Sequence, residues 1–371
     1  MQFLKKLLLP FAWLYGLAIG IRNMLYNTGF IKSRVFPIPI ISVGNLTTGG
    51  TGKTPHIEYL IRLLQGEFKI ATLSRGYKRK TSGYILATAQ HNVSDIGDEP
   101  MQYLNKFKNI KVAVAEKRVI GIEQLMHQSD KPEVVLLDDA YQHRSVKPGL
   151  NICLLDFDGL DLENDLIPAG TLREPNQNIS RADIVIVSKS PEILVPIERR
   201  RAIEKIKLLP HQTLYFSYLK YNELIRLNAE NSLIHFGLDY YVEKRFTLLL
   251  VTGIANPTGL IAYLRRLTDK LEIITYGDHH PFTIADVSDI KAKFETIAGQ
   301  NKIIITTEKD AMRLMHAELG AVVSSLPFFY LPITIAFHHN EKEKFDQTII
   351  NYVRKDIANN RLHRTTSKHS T

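Results

Sequence analysis

The chain has 371 residues, of which 44% are apolar and 23% charged, and its formal net charge is +9. This length exceeds what one small core needs and predicts two domains of a soluble globular protein. The single cysteine, Cys153, excludes a disulfide-stapled fold, so a reducing compartment fits the chain. The basic excess indicates an anionic partner, which charge alone leaves open between phosphate groups, nucleic acid and an acidic membrane surface.

Alternating strand and helix patterns place the chain in the α/β class. Residues 31–210 predict the core domain, with a mostly parallel sheet flanked by helices. Residues 211–246 predict a linking β-ribbon, in which Thr213–Tyr218 pairs with the strand that opens the next domain. Residues 247–357 predict a smaller α/β domain, and residues 358–371 a disordered basic tail.

The first 30 residues are unusually apolar. The residues from Leu7 to Ile21 carry no charge, two lysines precede them and Arg22 follows. Pro10 and two glycines interrupt the run and no clean cleavage site follows, which disfavours a transmembrane helix and a signal peptide. We expect a pair of membrane-interfacial helices with cations facing anionic lipid, and a helix packed on the domain core is the alternative. The apolar stripe comprises Phe3, Leu7, Phe11, Leu14, Ala18, Ile21 and Leu25.

A glycine-rich run lies between an apolar run, Ile38–Val43, and a helical pattern, His56–Leu64. Strand, glycine-rich turn and helix are the context of a phosphate-binding loop, in which backbone N–H groups face the phosphates. A strict loop has glycine where Thr47 stands, so this is a variant form, and an ordinary glycine-rich turn is the alternative. The predicted ATP-binding residues are Thr48, Gly49, Gly50, Thr51, Gly52, Lys53 and Thr54.

Two other stretches carry acidic or imidazole groups. Asp98 and Glu99 lie where a helix can begin, so they are either capping groups or, for Asp98, a base that takes a proton from an attacking hydroxyl. Asp278, His279 and His280 follow a predicted strand in the second half of the chain. An imidazole there can orient a carboxylate across a domain cleft, while a metal site and a solvated turn are the alternatives.

The apolar run Val134–Leu137 is followed by Asp138 and Asp139. Four apolar residues and an aspartate form the Walker B pattern, whose carboxylate holds Mg²⁺ opposite the hydroxyl of Thr54. Lys53 can reach the outer phosphates. Together the loop and the Walker B pattern favour nucleotide and Mg²⁺ binding over a solvated strand end.

Arginines and a polar run complete the candidates. Arg118 and Arg173 suit bidentate contacts with phosphate, although a surface ion pair is the alternative for Arg173 beside Glu174. The run Thr306–Asp310 resembles base-recognition loops at the strand ends of other P-loop proteins, by analogy only.

The chain resembles the tetraacyldisaccharide 4'-kinase family of lipid A biosynthesis over nearly its whole length. Each motif is modestly specific, their order is highly specific, and Thr47 in place of glycine belongs to the family's pattern. Ala140-Tyr141 in place of Gly-Phe and Thr171 in place of proline are mild departures. The motifs are the apolar N-terminus, Gly44–Pro55, Ser74–Tyr77, Gly97–Pro100, Asp138–Arg144, Pro168–Pro175, Gly253–Pro257, Asp278–His280 and Thr307–Asp310.

The resemblance implies transfer of the ATP γ-phosphate, with Mg²⁺, to the 4'-hydroxyl of a membrane-bound tetraacyldisaccharide 1-phosphate, which forms lipid IVA. It implies that Asp98 and His279 are the catalytic pair, that Lys53 binds the phosphates, and that the second domain meets the adenine end of ATP. The implied metal-site residues are Thr54, Glu99, Asp138 and Asp139. The implied substrate-cleft residues are Arg118, Gln142, His143, Arg173 and Glu174.

The expected location is the cytoplasmic face of the bacterial inner membrane, in peripheral contact with anionic lipid. Neither nucleic acid nor an obligate protein partner is expected. A P-loop ATPase or GTPase switch, acting at the membrane or on nucleic acid, is the alternative, although it needs neither the apolar N-terminus nor the Asp98–His279 pair. A membrane-associated structural protein with a vestigial loop is the third interpretation.

Overall fold

A computed structural model describes residues 2–161, 164–227, 236–315 and 317–368. Its larger unit is a sheet of nine strands. These strands are β1 (Ile40–Asn45), β2 (Ile70–Ser74), β3 (Ile85–Leu86), β4 (Lys111–Val114), β5 (Val134–Asp138), β6 (Leu150–Asp156), β7 (Ile184–Ser188), β8 (Thr213–Tyr221) and β14 (Ile333–Phe337). Their order is β14-β8-β7-β6-β1-β5-β2-β4-β3, in which the edge strands β3 and β14 are antiparallel to their neighbours and the others are parallel.

Helices cover both faces of this sheet. They are α1 (Gln2–Asn27), α2 (Lys53–Leu64), α3 (Val93–Ile96), α4 (Asp98–Lys106), α5 (Arg118–His127), α6 (Pro196–Ile206) and α12 (Glu341–Lys368). All six residues of the central strand β1 are buried. Ile41 and Val43 of β1 pack with α2, α4 and α12, whereas Ile40 packs with α5 on the opposite face. Burial on both faces explains why this strand is continuously apolar in sequence.

The smaller unit is a sheet of five strands. They are β9 (Ile225–Arg226), β10 (Thr247–Thr252), β11 (Leu271–Thr275), β12 (Lys302–Thr307) and β13 (Phe328–Leu331), in the order β11-β10-β12-β13-β9. Its helices are α7 (Leu238–Glu243), α8 (Thr258–Leu267), α9 (Ile284–Thr296), α10 (Glu308–Leu314) and α11 (Ala317–Ser324). Two 3-10 helices, Asp158–Asp161 and Asn176–Arg181, belong to the loops of the larger unit.

The chain crosses between the two units through adjacent strands. It leaves the larger sheet at the end of β8 and returns at the start of β14, where Tyr221 pairs with Ile333. The predicted pairing of Thr213–Tyr218 with the strand that opens the second domain is therefore wrong, because β8 pairs with β7 and β14. The expected domain end at residue 357 is also wrong, because β14 and α12 belong to the larger unit.

Two predictions about the termini are wrong. Residues Gln2–Asn27 form one helix that contains Pro10, instead of a pair of helices. A proline removes one helical hydrogen bond, and here the residues on both sides continue the helix. The predicted disordered tail is helical up to Lys368, because α12 runs on from its buried part, where Phe345, Ile349 and Val353 pack in the main core. Residues 369–371 lie outside the described part.

The parallel strands of the larger sheet direct their carboxyl ends to one edge. The glycine-rich loop follows β1, Asp138 ends β5 and Ser188 ends β7, and β5 lies directly beside β1. Loops at this edge hold the ligand in open α/β sheets. The candidate site is therefore built from the segments that leave these strands.

Candidate active site

The loop between β1 and α2 is held from two sides. The backbone N–H of Thr48 donates to Thr171 O at 2.6 Å, and the Ser188 hydroxyl donates to Thr51 O at 2.8 Å. Gly52, which directly precedes α2, has a φ of 81° in the left-handed region that glycine adopts without strain. The loop thus presents backbone N–H groups and the start of a 12-residue helix, a combination that favours phosphate.

A buried histidine that the sequence analysis did not single out supports this loop. His56 Nδ1 donates to Gly52 O at 2.7 Å, and its Nε2 accepts from the Ser217 hydroxyl at 3.0 Å. Burial lowers the pKa of His56 to about 4, so the ring is neutral at pH 7. A histidine on an amphipathic helix gives no sign in the sequence of this bridging position, because Ser217 belongs to the distant strand β8.

Lys53 connects the loop to the end of β5. Its Nζ donates to Asn45 Oδ1 at 3.2 Å and lies 3.5 Å from Asp139 Oδ1. Arg173 Nη1 donates to both carboxylate oxygens of Asp139, at 2.9 and 3.0 Å. Burial alone would raise the pKa of Asp139, but Lys53 and Arg173 outweigh burial and lower it. Asp139 is therefore ionised and neutralised by two cations at the position where phosphates are expected.

Asp138 lacks such cations. Tyr103 donates to its Oδ2 at 3.0 Å, and no described cationic side chain forms an ion pair with it. Burial, followed by the charges of Glu99 and Asp139, raises the pKa of Asp138 to about 6. Glu99 is itself paired with Lys309 at 2.6 Å. In the described ranges, no three histidine, cysteine or acidic side chains cluster closely enough to hold a metal ion unaided.

Asp98 and His279 are in contact across the boundary between the two units. His279 Nδ1 donates to Asp98 Oδ2 at 2.6 Å, although 181 residues separate them. His280 Nε2 instead donates to Asp286 at 3.0 Å, so the structure pairs His279, and not His280, with Asp98. The His279 ring also lies beside Tyr77, with centroids 5.4 Å apart. The expected contact is present, and the catalytic role of the pair stays a prediction.

Arg313 of α10 completes this pair and was missed in the sequence analysis. Its Nη2 donates to Asp98 Oδ2 at 2.5 Å, and the same nitrogen lies 3.0 Å from His279 Nδ1. Burial alone would raise the pKa of Asp98, but hydrogen bonds from His279 and Arg313 outweigh it and hold that pKa well below its usual range. Asp98 is thus ionised. No local pattern marks Arg313, because an arginine within a helical stretch usually lies in solvent.

The polar run Thr306–Asp310 has a structural use inside the protein. Asp310 is fully buried and accepts a hydrogen bond from the Thr307 hydroxyl at 2.7 Å. Lys309 is occupied by Glu99 on α4. The analogy with base-recognition loops therefore finds no support, because the charged groups of this run face the neighbouring helix and strand.

Three of the predicted substrate-cleft residues are partly exposed at the carboxyl edge. They are Gln142, His143 and Arg173. Gln142 Nε2 donates to Asn45 O at 2.8 Å, which places it beside the phosphate-binding loop. Burial and the nearby Arg118 cation lower the pKa of His143 to about 4, so this ring is neutral at pH 7. The contact of these three side chains with a ligand stays a prediction.

Arg118, another predicted substrate-cleft residue, has a side chain that is only 1% exposed in this structure. Its Nη1 donates to Ala115 O at 2.6 Å and its Nη2 to Asp138 O at 3.2 Å. Arg118 thus ties the ends of β4 and β5 together. A direct contact of Arg118 with the substrate stays a prediction, and the hydrogen bond observed here holds the Asp138 carbonyl.

Glu174 is likewise buried, with 0% exposure, and its contact with the substrate also stays a prediction. Its Oε1 accepts from Arg22 at 2.7 Å, and its Oε2 accepts from Arg181 at 2.7 Å and Asn178 at 2.8 Å. Because Arg22 lies on α1, Glu174 fixes the N-terminal helix to the larger unit. Removing one partner of a buried ion pair costs about 3–5 kcal/mol, so this contact is structurally important.

A family model described as tetraacyldisaccharide-1-P 4'-kinase matches residues 4–354. A protein of Phocaeicola vulgatus named tetraacyldisaccharide 4'-kinase is 45% identical over 358 residues, which cover 96% of this chain and 97% of the relative. A relative of the same name from Flavobacterium psychrophilum is 44% identical and covers 97% of this chain and 100% of its own length. The crystal structure of LpxK from Aquifex aeolicus in complex with ATP has a TM-score of 0.72 and 28% identity, and covers 94% of this chain and 99% of that chain.

The neutral state of His56 makes a pH dependence of stability testable. Its pKa is about 4 in the folded protein and 6.5 ordinarily, so between these values the unfolded chain binds more protons. The stability that neutral, buried His56 contributes is present above pH 6.5 and is lost as the pH falls toward 4. From pH 7 to pH 5 the free energy of unfolding should lose about 2 kcal/mol through this residue.

Urea denaturation at the two pH values measures this loss. His56→Asn, which keeps a donor toward Gly52, should remove this share of the pH dependence. His127→Gln, at an exposed histidine, should leave it unchanged. An unaltered pH dependence in His56→Asn would show that His56 is not held neutral by burial.

Proposed function

The chain belongs to the tetraacyldisaccharide-1-P 4'-kinase family, and we propose that Asp98 and His279 act as the proton acceptor in the family's reaction. The enzyme is a kinase that transfers the ATP γ-phosphate to the 4'-hydroxyl of a tetraacyldisaccharide 1-phosphate. The observation that carries the assignment of roles is the 2.6 Å contact between Asp98 and His279 at the edge that holds the phosphate-binding loop. A nucleotide switch needs no such acceptor, and the relatives' names do not favour one.

The loop and its neighbours stabilise the charge that moves with the phosphoryl group. The backbone of residues 48–52 and the start of α2 bind phosphate oxygens, and Lys53 adds a cation. Asp139 lies between Lys53 and Arg173 and pairs with both, so the two cations are in place before the ligand binds. Such groups accelerate phosphoryl transfer mainly through alignment and electrostatic stabilisation, because they are ordered beforehand.

As the 4'-oxygen bonds to the γ-phosphorus, the bond from that phosphorus to the bridging oxygen breaks and ADP leaves. The proton of the 4'-hydroxyl passes to the Asp98–His279 pair. Asp98 is ionised and carries the negative charge, while His279 orients it through a hydrogen bond. Because the pair joins the two units, the acceptor sugar binds between them. The ring of Tyr77, which is 59% exposed beside His279, offers an aromatic face to that sugar.

The residues at the end of β5 fit a magnesium ion. Asp138 is a buried carboxylate without a cationic partner in the described chain, and burial, followed by repulsion from Glu99 and Asp139, raises its pKa to about 6. A divalent cation would relieve this repulsion. Mg²⁺ typically takes one or two protein oxygens together with phosphates and water, so the Thr54 hydroxyl and Asp138 suffice. When bound, it neutralises the charge on the β- and γ-phosphates. Asp139 and Glu99 are weaker candidates for metal ligands, because each is already paired with a cationic side chain.

Helix α1 is suited to contact a membrane with one side. The segment Lys6–Asn27 is long and apolar enough to cross a bilayer by length and composition, and Trp13 on it is 73% exposed. The other side is attached to the catalytic unit, where the Tyr15 hydroxyl donates to Arg173 O at 2.8 Å and Arg22 binds Glu174. Attachment along its length supports a helix that lies on the membrane. Because ATP is the phosphate donor, we place this contact on the cytoplasmic face of the inner membrane.

Transfer of labelled phosphate from ATP to the purified acceptor in detergent tests the chemistry. Asp98→Asn should lower kcat by about 10²–10⁴ and leave the KM for ATP within about threefold, since it removes the proton acceptor and no phosphate ligand. Asp130→Asn, at an exposed aspartate paired with Lys69, should match the wild type. ATP hydrolysis that ignores the acceptor, or an equal loss of ATP affinity in Asp98→Asn, would contradict the assignment.

Sedimentation with vesicles that contain anionic lipid tests the role of α1. Phe11 and Leu14 are 59% and 65% exposed on it. The double variant Phe11→Glu, Leu14→Glu should bind at least about tenfold more weakly, because apolar burial is lost and like charges repel. The double variant Ile197→Glu, Ile284→Glu changes exposed apolar residues outside α1 and should bind like the wild type. Equal binding of both double variants would refute the membrane contact.

A further inference from the structure

We infer that Arg313 is a positioning residue for the kinase reaction: it fixes Asp98 against His279, and polar groups of the smaller unit hold Arg313 in that position. The inference rests on the proposed function, because it assumes that Asp98 and His279 accept the proton. It adds a residue from outside the phosphate-binding loop and the predicted cleft.

Arg313 meets Asp98 with a fork of two donors. Its Nη2 donates to Oδ2 at 2.5 Å and its Nε to Oδ1 at 3.3 Å. Among the described residues, Arg313 is the sole hydrogen-bond donor to Oδ1, and it shares Oδ2 with His279. A planar guanidinium that contacts both oxygens defines the rotation of a carboxylate, which a single donor does not.

The third nitrogen of the guanidinium, Nη1, is bound by groups of the smaller unit. Nη1 of Arg313 donates to Asp310 Oδ1 at 2.8 Å and contacts Gly253 O at 3.3 Å. Asp310 accepts a further hydrogen bond from the Gly253 N–H at 2.9 Å. Arg313 is 8% exposed and Asp310 is fully buried. With every nitrogen of Arg313 engaged, the side chain has one orientation, and that orientation points at Asp98.

The same loop also places His279. The backbone N–H of His279 donates to Gly253 O at 3.1 Å, so one carbonyl contacts both His279 and Arg313. His279 has a φ of 59°, a left-handed conformation that costs free energy for a residue other than glycine. The segments that begin at Gly253, Asp278 and Thr307 are separate in sequence, and they converge on this one contact. The polar groups of these segments therefore hold Arg313 and His279 in contact with Asp98.

A second ion pair joins the same two helices. A variant of it can show whether Arg313 positions Asp98 or only holds the two units together. Lys106 of α4 donates to Glu308 of α10 at 2.6 Å and to Glu58 at 2.7 Å. It crosses the same boundary without contacting Asp98 or His279. Lys106→Met is therefore a matched control: it weakens the boundary and leaves the Asp98 carboxylate in place.

Steady-state transfer from ATP to the acceptor is measured with the full-length Arg313→Gln, Arg313→Lys and Lys106→Met variants. Arg313→Gln should lower kcat by about 10- to 100-fold, as expected when a reacting group is misplaced, and leave the KM for ATP within about threefold. Arg313→Lys keeps the charge but not the fork, so its kcat should lie between those of Arg313→Gln and the wild type. Lys106→Met should keep kcat within about threefold while lowering the thermal midpoint.

Unchanged kcat in both Arg313 variants would overturn the inference, and so would an equal fall of kcat in Lys106→Met. If Arg313→Gln does not fold, Arg313→Lys decides, since wild-type kcat in that variant would show that the fork is not needed. Asp98→Asn is assayed in parallel. Full activity of Asp98→Asn would refute the proposed function itself, whereas its inactivity beside fully active Arg313 variants would refute only the inference.

Discussion

A buried carboxylate needs partners, and the partners of Asp98 come from the other structural unit. His279 and Arg313 of the smaller unit both bind Asp98, whereas Asp98 lies on α4 of the larger unit. An ionised group that loses such partners in a low-dielectric environment pays a desolvation cost of several kcal/mol. The packing of α10 against α4 is therefore coupled to the charge state of the group that we assign to proton transfer, and the smaller unit is part of the site.

A second set of contacts connects the membrane side of the protein to the nucleotide side. Glu174 binds α1 through Arg22, and the adjacent Arg173 binds Asp139, which lies beside Lys53. One short segment thus contacts the helix suited to lipid and the end of β5 beside the phosphate-binding loop. The membrane contact that we propose for α1 would thereby lie at a fixed distance from the phosphate-binding loop.

Local sequence patterns revealed the parts of the site that a single segment builds. The loop before α2 and the aspartates after β5 were visible because strand, turn and helix follow each other directly. The pairing of Asp98 with His279 came from the family resemblance, since no periodicity connects residues so far apart. Arg313 and His56 were missed because their roles depend on contacts between distant elements. The burial of Glu174 and Arg118 was invisible in the sequence for the same reason, and so was the return of β14 to the first sheet.

The central claim is that Asp98 and His279 act as one unit. Measuring phosphoryl transfer in Asp98→Asn, His279→Gln and the double variant tests it most directly, because residues that act together lose their effect together. The double variant should be about as slow as the slower single variant. Losses in kcat that multiply in the double variant would show that Asp98 and His279 act independently, which would refute their action as one unit.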